Sequence, residues 1–133
     1  MTNDRSPAPC APCFSCCDSA SIPWTPSRFA PGVDVKNLGK ADGRGMQLVR
    51  FAPGAVFPDH FHTGPEFVYV LDGEVVQNGR RLRSGYAGVA ESGTVDAGFS
   101  SATGCTFVLV YALDQVFDSV EPVVPPAVKD ASR

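Results

Sequence analysis

Glycine cuts this chain into short pieces. It recurs at positions 32, 39, 43, 45, 54, 64, 73, 79, 85, 88, 93, 98 and 104. Intervals of this length hold strands but leave no room for a helix of about ten residues or more. The stretches between the glycines predict strands at Val33–Leu38, Met46–Phe51, Val56–His62, Glu66–Leu71, Glu74–Gln77, Arg80–Leu82, Tyr86–Ala90, Thr94–Ala97 and Cys105–Leu113. Several are rich in Val, Phe and Tyr, which suit a pleated, half-buried surface. Asn78-Gly79 joins two of them, and both residues tolerate positive φ, as a type I′ hairpin turn requires. Asp72-Gly73 predicts a second tight turn or a bulge. Many short strands with turn signals predict an all-β barrel or sandwich.

A length of 133 residues suits one domain, and 44% hydrophobic with 19% charged residues is ordinary globular composition. The expected divisions are a Cys-rich arm over 1–20, a barrel over 21–114 and a C-terminal tail over 115–133. That tail is expected to lie against the barrel at Val116–Val124 and then fray. Net charge is −3 with no run of like charges, so no nucleic-acid partner is expected. The one basic cluster, Arg80, Arg81 and Arg83, reads as a solvated hairpin face. No apolar run approaches the roughly 20 residues that span a bilayer. Met1 to Pro12 lacks the apolar core of a signal peptide, so the expected compartment is the cytoplasm, with no membrane partner.

Four of the five cysteines crowd the start, at Cys10, Cys13, Cys16 and Cys17, and Cys105 stands apart. An odd count without a secretory signal argues against a disulfide framework. The cluster has two readings, a thiolate site for a soft metal or a mobile arm with no such role. Cys105 reads as a small buried hydrophobe.

The two histidines of the chain, His60 and His62, sit two residues apart. On a strand, residues i and i+2 face the same side, so both imidazoles can converge on one ion. Thr63-Gly64-Pro65 should bend the chain, letting Glu66 open the next strand and point into the same cavity. Two neutral nitrogens and a carboxylate suit one divalent ion: Fe, Mn, Zn, Ni or Co.

The run Gly54-x₅-His60-x-His62-x₃-Glu66-x₆-Gly73 resembles the first motif of the cupins at every fixed position. The resemblance implies a jelly-roll barrel, the double-stranded β-helix. The second cupin motif aligns with Gly85 and Gly93 but departs elsewhere: Glu91 stands for its proline, Asp96 for its histidine ligand and Ser100 for its asparagine. Asp96 has three readings. It is a fourth, oxygen ligand; or it orients a histidine N–H; or it faces solvent and leaves three ligands. Glu91 is expected at the rim or surface.

From about Ile22 to Ala112 the chain resembles the ChrR-like cupins. Trp24-Thr25-Pro26-Ser27, Pro31-Gly32-Val33, Val35-Lys36, Leu38 and Thr103-Gly104-Cys105-Thr106-Phe107 carry the resemblance. Small cupin dioxygenases that cleave diketones or phenolic ketones share this architecture. By resemblance His60, His62 and Glu66 carry over as metal ligands, and barrels pair as a homodimer. The expected partner is a small-molecule ligand or substrate. The leading expectation is a metal-dependent dioxygenase, with the ion as Lewis acid and a dry interior. That interior would draw on Phe57, Phe61, Phe67, Tyr69, Val89 and Phe107 where they point inward; Phe61 and Phe67 have the opposite parity to the ligands and are expected outside. The alternatives are a non-catalytic metal or ligand sensor, as the ChrR resemblance suggests, and a barrel whose ion is purely structural. About 20 residues precede the Trp24 motif, too few for the helical anti-sigma domain of that relative, so anti-sigma activity is not expected.

Overall fold

A computed structural model describes residues 11–115. Cys10, the rest of the first ten residues and the tail stretch Val116–Val124 lie outside the described residues. Eleven strands follow in order: β1 Thr25–Pro26, β2 Val33–Ala41, β3 Arg44–Phe51, β4 Ala55–Val56, β5 His60–Phe61, β6 Glu66–Gln77, β7 Arg80–Arg83, β8 Ala87–Ala90, β9 Val95–Asp96, β10 Ser100–Ser101 and β11 Cys105–Ala112. Every pairing is antiparallel. The main sheet runs β1-β2-β3-β11-β6-β10-β4, with β7 and β8 also on β6, and β5 pairs with β9 separately. The result is a curled, nearly all-β fold of the predicted kind. No helix among the described residues is long and apolar enough to cross a membrane.

Strand β6 organises the fold. Its first half pairs with β11 and β8, and its second half with β7 and β10. The Asp72-Gly73 signal therefore marks no chain reversal. β6 runs straight through it, with a register shift between Thr106 and Phe107 on β11 that leaves Leu71 unmatched. Such a bulge bends a strand and sharpens its twist, which lets one strand serve two parts of a curled sheet. Gly73 has φ +78°, and a Cβ there would strike the Gly104 carbonyl and Cys105 Cα. The predicted hairpin is present, with Asn78 at φ 51° and Gly79 at φ 76°.

Alternation decides the core. Val68 and Val70 face inward from β6, while Phe67, Tyr69 and Leu71 are exposed between them. Phe51, Phe99 and Phe107 pack ring to ring inside, with centroids 5.1 to 5.6 Å apart. Of the six residues considered for the interior, Phe57 and Phe107 join this cluster. Phe61 and Phe67 point outward as their parity requires. Tyr69 and Val89 are exposed as well, because both share the outer face with Phe67.

The stretch predicted as one strand, Val56–His62, is interrupted. Pro58 lacks the N–H that a ladder needs, and Phe57–Asp59 form no strand. Ahead of β1, the exposed segment from residue 11 ends in a short 3₁₀ turn, Ser19–Ser21, capped by Asp18. Lys36 Nζ donates to the Ser19 carbonyl at 2.7 Å, and Cys17 Sγ lies 3.3 Å from the Leu38 carbonyl. Cys13, Cys16 and Cys17 are exposed free thiols, and Cys105 is buried.

Candidate metal centre

His60 and Asp96 are opposed across the β5–β9 ladder, and Phe61 faces Val95 beside them. The pairing continues past β5: His62 N–H donates to the Thr94 carbonyl, and Gly93 N–H donates to the His62 carbonyl, both at 2.8 Å. His62 therefore keeps strand-like alternation although it lies beyond the strand. His60 and His62 turn inward while Phe61 between them is exposed. The bend at Thr63-Gly64-Pro65 returns the chain so that Glu66 opens β6. Gly64 is required there, since a Cβ would lie 2.5 Å from Ala112 Cβ.

Ligand atoms of His60, His62, Glu66 and Asp96 lie within 4.8 Å of one another, and all four residues are buried. His62 Nε2 is 3.0 Å from Glu66 Oε1 and 3.9 Å from Asp96 Oδ2, and His60 Nε2 is 3.5 Å from Asp96 Oδ2. Donors held at about 2.1 Å from one ion stand roughly 3 to 4 Å apart, so these three separations fit one ion, and the widest pair needs to draw in by about half an ångström to share it. Asp96 is wholly buried, which removes the reading that sends it to solvent.

The hydrogen bonds around the group fix which atoms face inward. His60 Nδ1 lies 3.1 Å from the Pro58 carbonyl, which can only accept, so Nδ1 carries a proton and Nε2 turns a lone pair to the centre. Thr94 Oγ1 donates to the Glu91 carbonyl at 2.8 Å and thereby accepts from His62 Nδ1 at 2.9 Å. His62 Nε2 is likewise left facing the carboxylates. Gln77 Nε2 donates to Asp96 Oδ1 at 3.0 Å. Asp96 Oδ2 receives no hydrogen bond and is buried. A buried carboxylate oxygen opposite imidazole lone pairs demands a cation or a proton. Two imidazoles and two carboxylates are donors that a divalent ion accepts.

Without an ion, protons fill that role. Burial pulls the His62 pKa down, but the Glu66 hydrogen bond and charge, the Asp96 charge and the Thr94 contact outweigh it, and the net shift is upward. Burial raises the Asp96 carboxyl, assisted by the Glu66 charge, against the lowering pull of His60, Gln77 and His62.

Glu91 is exposed, and its backbone carbonyl, not its side chain, contacts the group through Thr94. Thr94, Gln77 and Gln115 were not anticipated. Gln77 had a signal: it shares parity with fully buried Val75, and a polar residue on an inward face needs a partner. Gln115 had none. Its side chain reaches across 54 positions to the Phe61 carbonyl at 2.6 Å and accepts from Thr63 N–H at 3.2 Å, tying down both sides of His62.

Two cavities flank the group. One of about 390 Å³ is bounded by Glu66, Val68, Gln77, Arg80, Leu82 and Thr94, among others. The other, about 380 Å³, is largely aromatic, with Phe29, Phe51, Phe57, Phe99, Phe107 and Tyr111 in its wall. Phe57 separates it from the histidines, its ring edge-on to His60 at 5.4 Å.

The family described as the ChrR cupin-like domain matches residues 14–113. No curated protein matches the sequence. Among solved structures, a Methylibium petroleiphilum protein assigned as an acetylacetone dioxygenase aligns over 77% of this chain and 79% of its own, at 15% identity and TM-score 0.72. An acetylacetone dioxygenase from Acinetobacter johnsonii aligns over 84% and 80%, at 14% identity and TM-score 0.66. The Rhodobacter sphaeroides complex of SigE with the anti-sigma ChrR aligns over 69% of this chain and 49% of the matched one, at 20% identity and TM-score 0.61. At such identities the likeness carries the fold alone.

Proposed function

Because the chain belongs to the ChrR cupin-like domain family and buries a His-His-Glu-Asp group, we propose that it is a metal-dependent small-molecule enzyme of the dioxygenase type. One observation carries the reading: Glu66 belongs to the group and also walls a cavity large enough for a small molecule. A purely structural ion would need no such opening.

When bound, the ion would supply Lewis acidity toward an enolate or phenolate oxygen of a diketone-like or phenolic-ketone substrate. His60, His62, Glu66 and Asp96 would hold it. Pro58 and Thr94 lock the imidazole tautomers, and Gln77 fixes the Asp96 rotamer, so the donors are set before any ion arrives. Phe57 and the aromatic cluster behind it keep water from the histidine side. Asp96 in place of a histidine gives a dianionic donor set, which shifts preference toward harder ions such as Mn(II) or Fe(II).

Elemental analysis of purified protein tests the centre, with about one equivalent of metal expected. Oxygen uptake by Fe(II)-loaded protein across a panel of small diketones and phenolic ketones tests the activity. A second reading, a non-catalytic sensor, is favoured by the count of four donors, which can close a tetrahedral ion completely. Metal binding with no oxygen uptake on any panel member selects it.

A further inference from the structure

Arg80, Arg81 and Arg83 are all exposed on the hairpin, as a solvated face requires, but their contacts differ. Arg81 Nε lies 2.9 Å from Glu74 Oε2, close though not aligned as a hydrogen bond. Arg83 donates to the Tyr86 hydroxyl at 3.3 Å and sits over its ring. The Arg80 side chain has neither an ion pair nor a hydrogen bond among the described residues. It shares strand parity with Leu82, which packs against the core, and it walls the same cavity as Glu66.

The other polar side chains of that cavity are committed at least in part. Gln77 is opposite Arg80 in the ladder and gives its amide hydrogen to Asp96. Asn78 accepts from Ala97 N–H at 2.7 Å. The Thr94 hydroxyl is shared between His62 and the Glu91 carbonyl. Asn78 keeps a neutral amide donor there, and Arg80 is the cation among the described residues that wall the cavity. Two carboxylates, Glu66 and Asp96, neutralise a divalent ion held between them, so such a centre has little net charge with which to draw in an anion. The attraction must come from elsewhere in the cavity, and a guanidinium fork matches a carboxylate in geometry and charge. The remaining wall, Val68, Leu82, Gly88 and Ala90, suits a short apolar body.

We infer that Arg80 is the specificity residue of this cavity, and that the small molecule it admits bears a carboxylate which Arg80 binds while another oxygen faces the metal group. This inference rests on the proposed metal-dependent reading of the same centre.

Two probes of similar size separate charge from shape: acetoacetate, which carries a carboxylate, and acetylacetone, which does not. Each would be titrated into Co(II)-loaded full-length protein and followed by the visible absorption of the bound ion. The deciding quantity is the ratio of the two affinities. Arg80→Gln should lower the preference for acetoacetate about tenfold. Arg80→Lys should restore part of it, and Arg81→Gln should leave it unchanged. An equal ratio in wild type and Arg80→Gln overturns the role of Arg80 while leaving the metal centre standing. One bound Co(II) per chain with no response to either probe overturns the open-centre reading, and the inference with it.

Discussion

His60 and Asp96 are partners across the β5–β9 ladder, and their side chains meet inside the barrel with Nε2 3.5 Å from Oδ2. Strand register alone therefore sets half of the candidate metal group. A one-residue slip would leave only one of the two side chains facing inward. Without a metal, burial makes the Asp96 carboxylate a burden on the fold, which His60 offsets only in part.

Asp96→Asn separates these two effects. The replacement keeps the shape and the Gln77 contact, and its NH₂ can donate to the His60 lone pair. The metal-free variant should gain stability, on the order of 1 kcal/mol, because a buried charge is removed. Metal affinity should fall on the order of 100-fold with loss of a donor. Denaturant melts with and without chelator, beside a metal titration, check both directions. Loss of stability in the metal-free state would show that Asp96 does not act as a buried charge.

The pH dependence should invert on metal binding. In the metal-free fold His62 is raised above its ordinary 6.5, so its stabilising contribution is complete below that value and is lost as pH rises through the folded value. Asp96 is raised above its ordinary 3.8, so its cost grows as pH climbs from there toward the folded value. Both groups bind protons more tightly folded than unfolded, so their contribution to metal-free stability should decline as pH rises above 3.8 and again above 6.5. An ion needs both groups deprotonated, so the loaded protein should gain stability over the same range. Thermal melts at several pH values, with chelator or with metal, report the two slopes.

Thr94→Val tests whether tautomer locking matters. The change is nearly isosteric and removes the acceptor of His62 Nδ1–H. Metal affinity should drop 10- to 100-fold, roughly, while the fold persists. Circular dichroism and a metal titration on the same preparation decide it. Unchanged affinity would mean that His62 is held by its backbone ladder alone.

Much of this architecture is legible in the residues. His60-Phe61-His62 fixes inward-outward-inward alternation, and Asn78-Gly79 fixes a hairpin. Local chemistry sets both. Gly73 is less transparent. A glycine after Asp reads as a tight turn or a bulge; here its positive φ serves a bulged strand that passes close to Gly104, and only the tertiary contact distinguishes the two. Asp96 is ambiguous for a similar reason: its inward direction depends on pairing with a strand 36 positions earlier. Gln115 carries no pattern at all, since its partners are backbone groups of a distant bend. Arg80 reads as one of three similar charges until strand parity separates it from Arg81.

Gly64 offers a test of how the bend delivers Glu66. Its φ is not in the left-handed region, so alanine there meets no backbone strain, only the Ala112 methyl at 2.5 Å. Ala112 sits at the end of β11, next to the Tyr111–Glu66 register pair. Gly64→Ala should cost about 1–3 kcal/mol by overpacking and push the Thr63–Glu66 bend outward, weakening metal binding as Glu66 withdraws. Ala112→Gly removes the obstructing methyl and should restore most of both losses in the double variant. Non-additivity of this kind is expected only for groups in contact. Denaturant melts and metal titrations on the two single variants and the double variant measure it. Strict additivity would mean that the bend is positioned by Gln115 and Pro65 rather than by the close approach of Gly64 to β11.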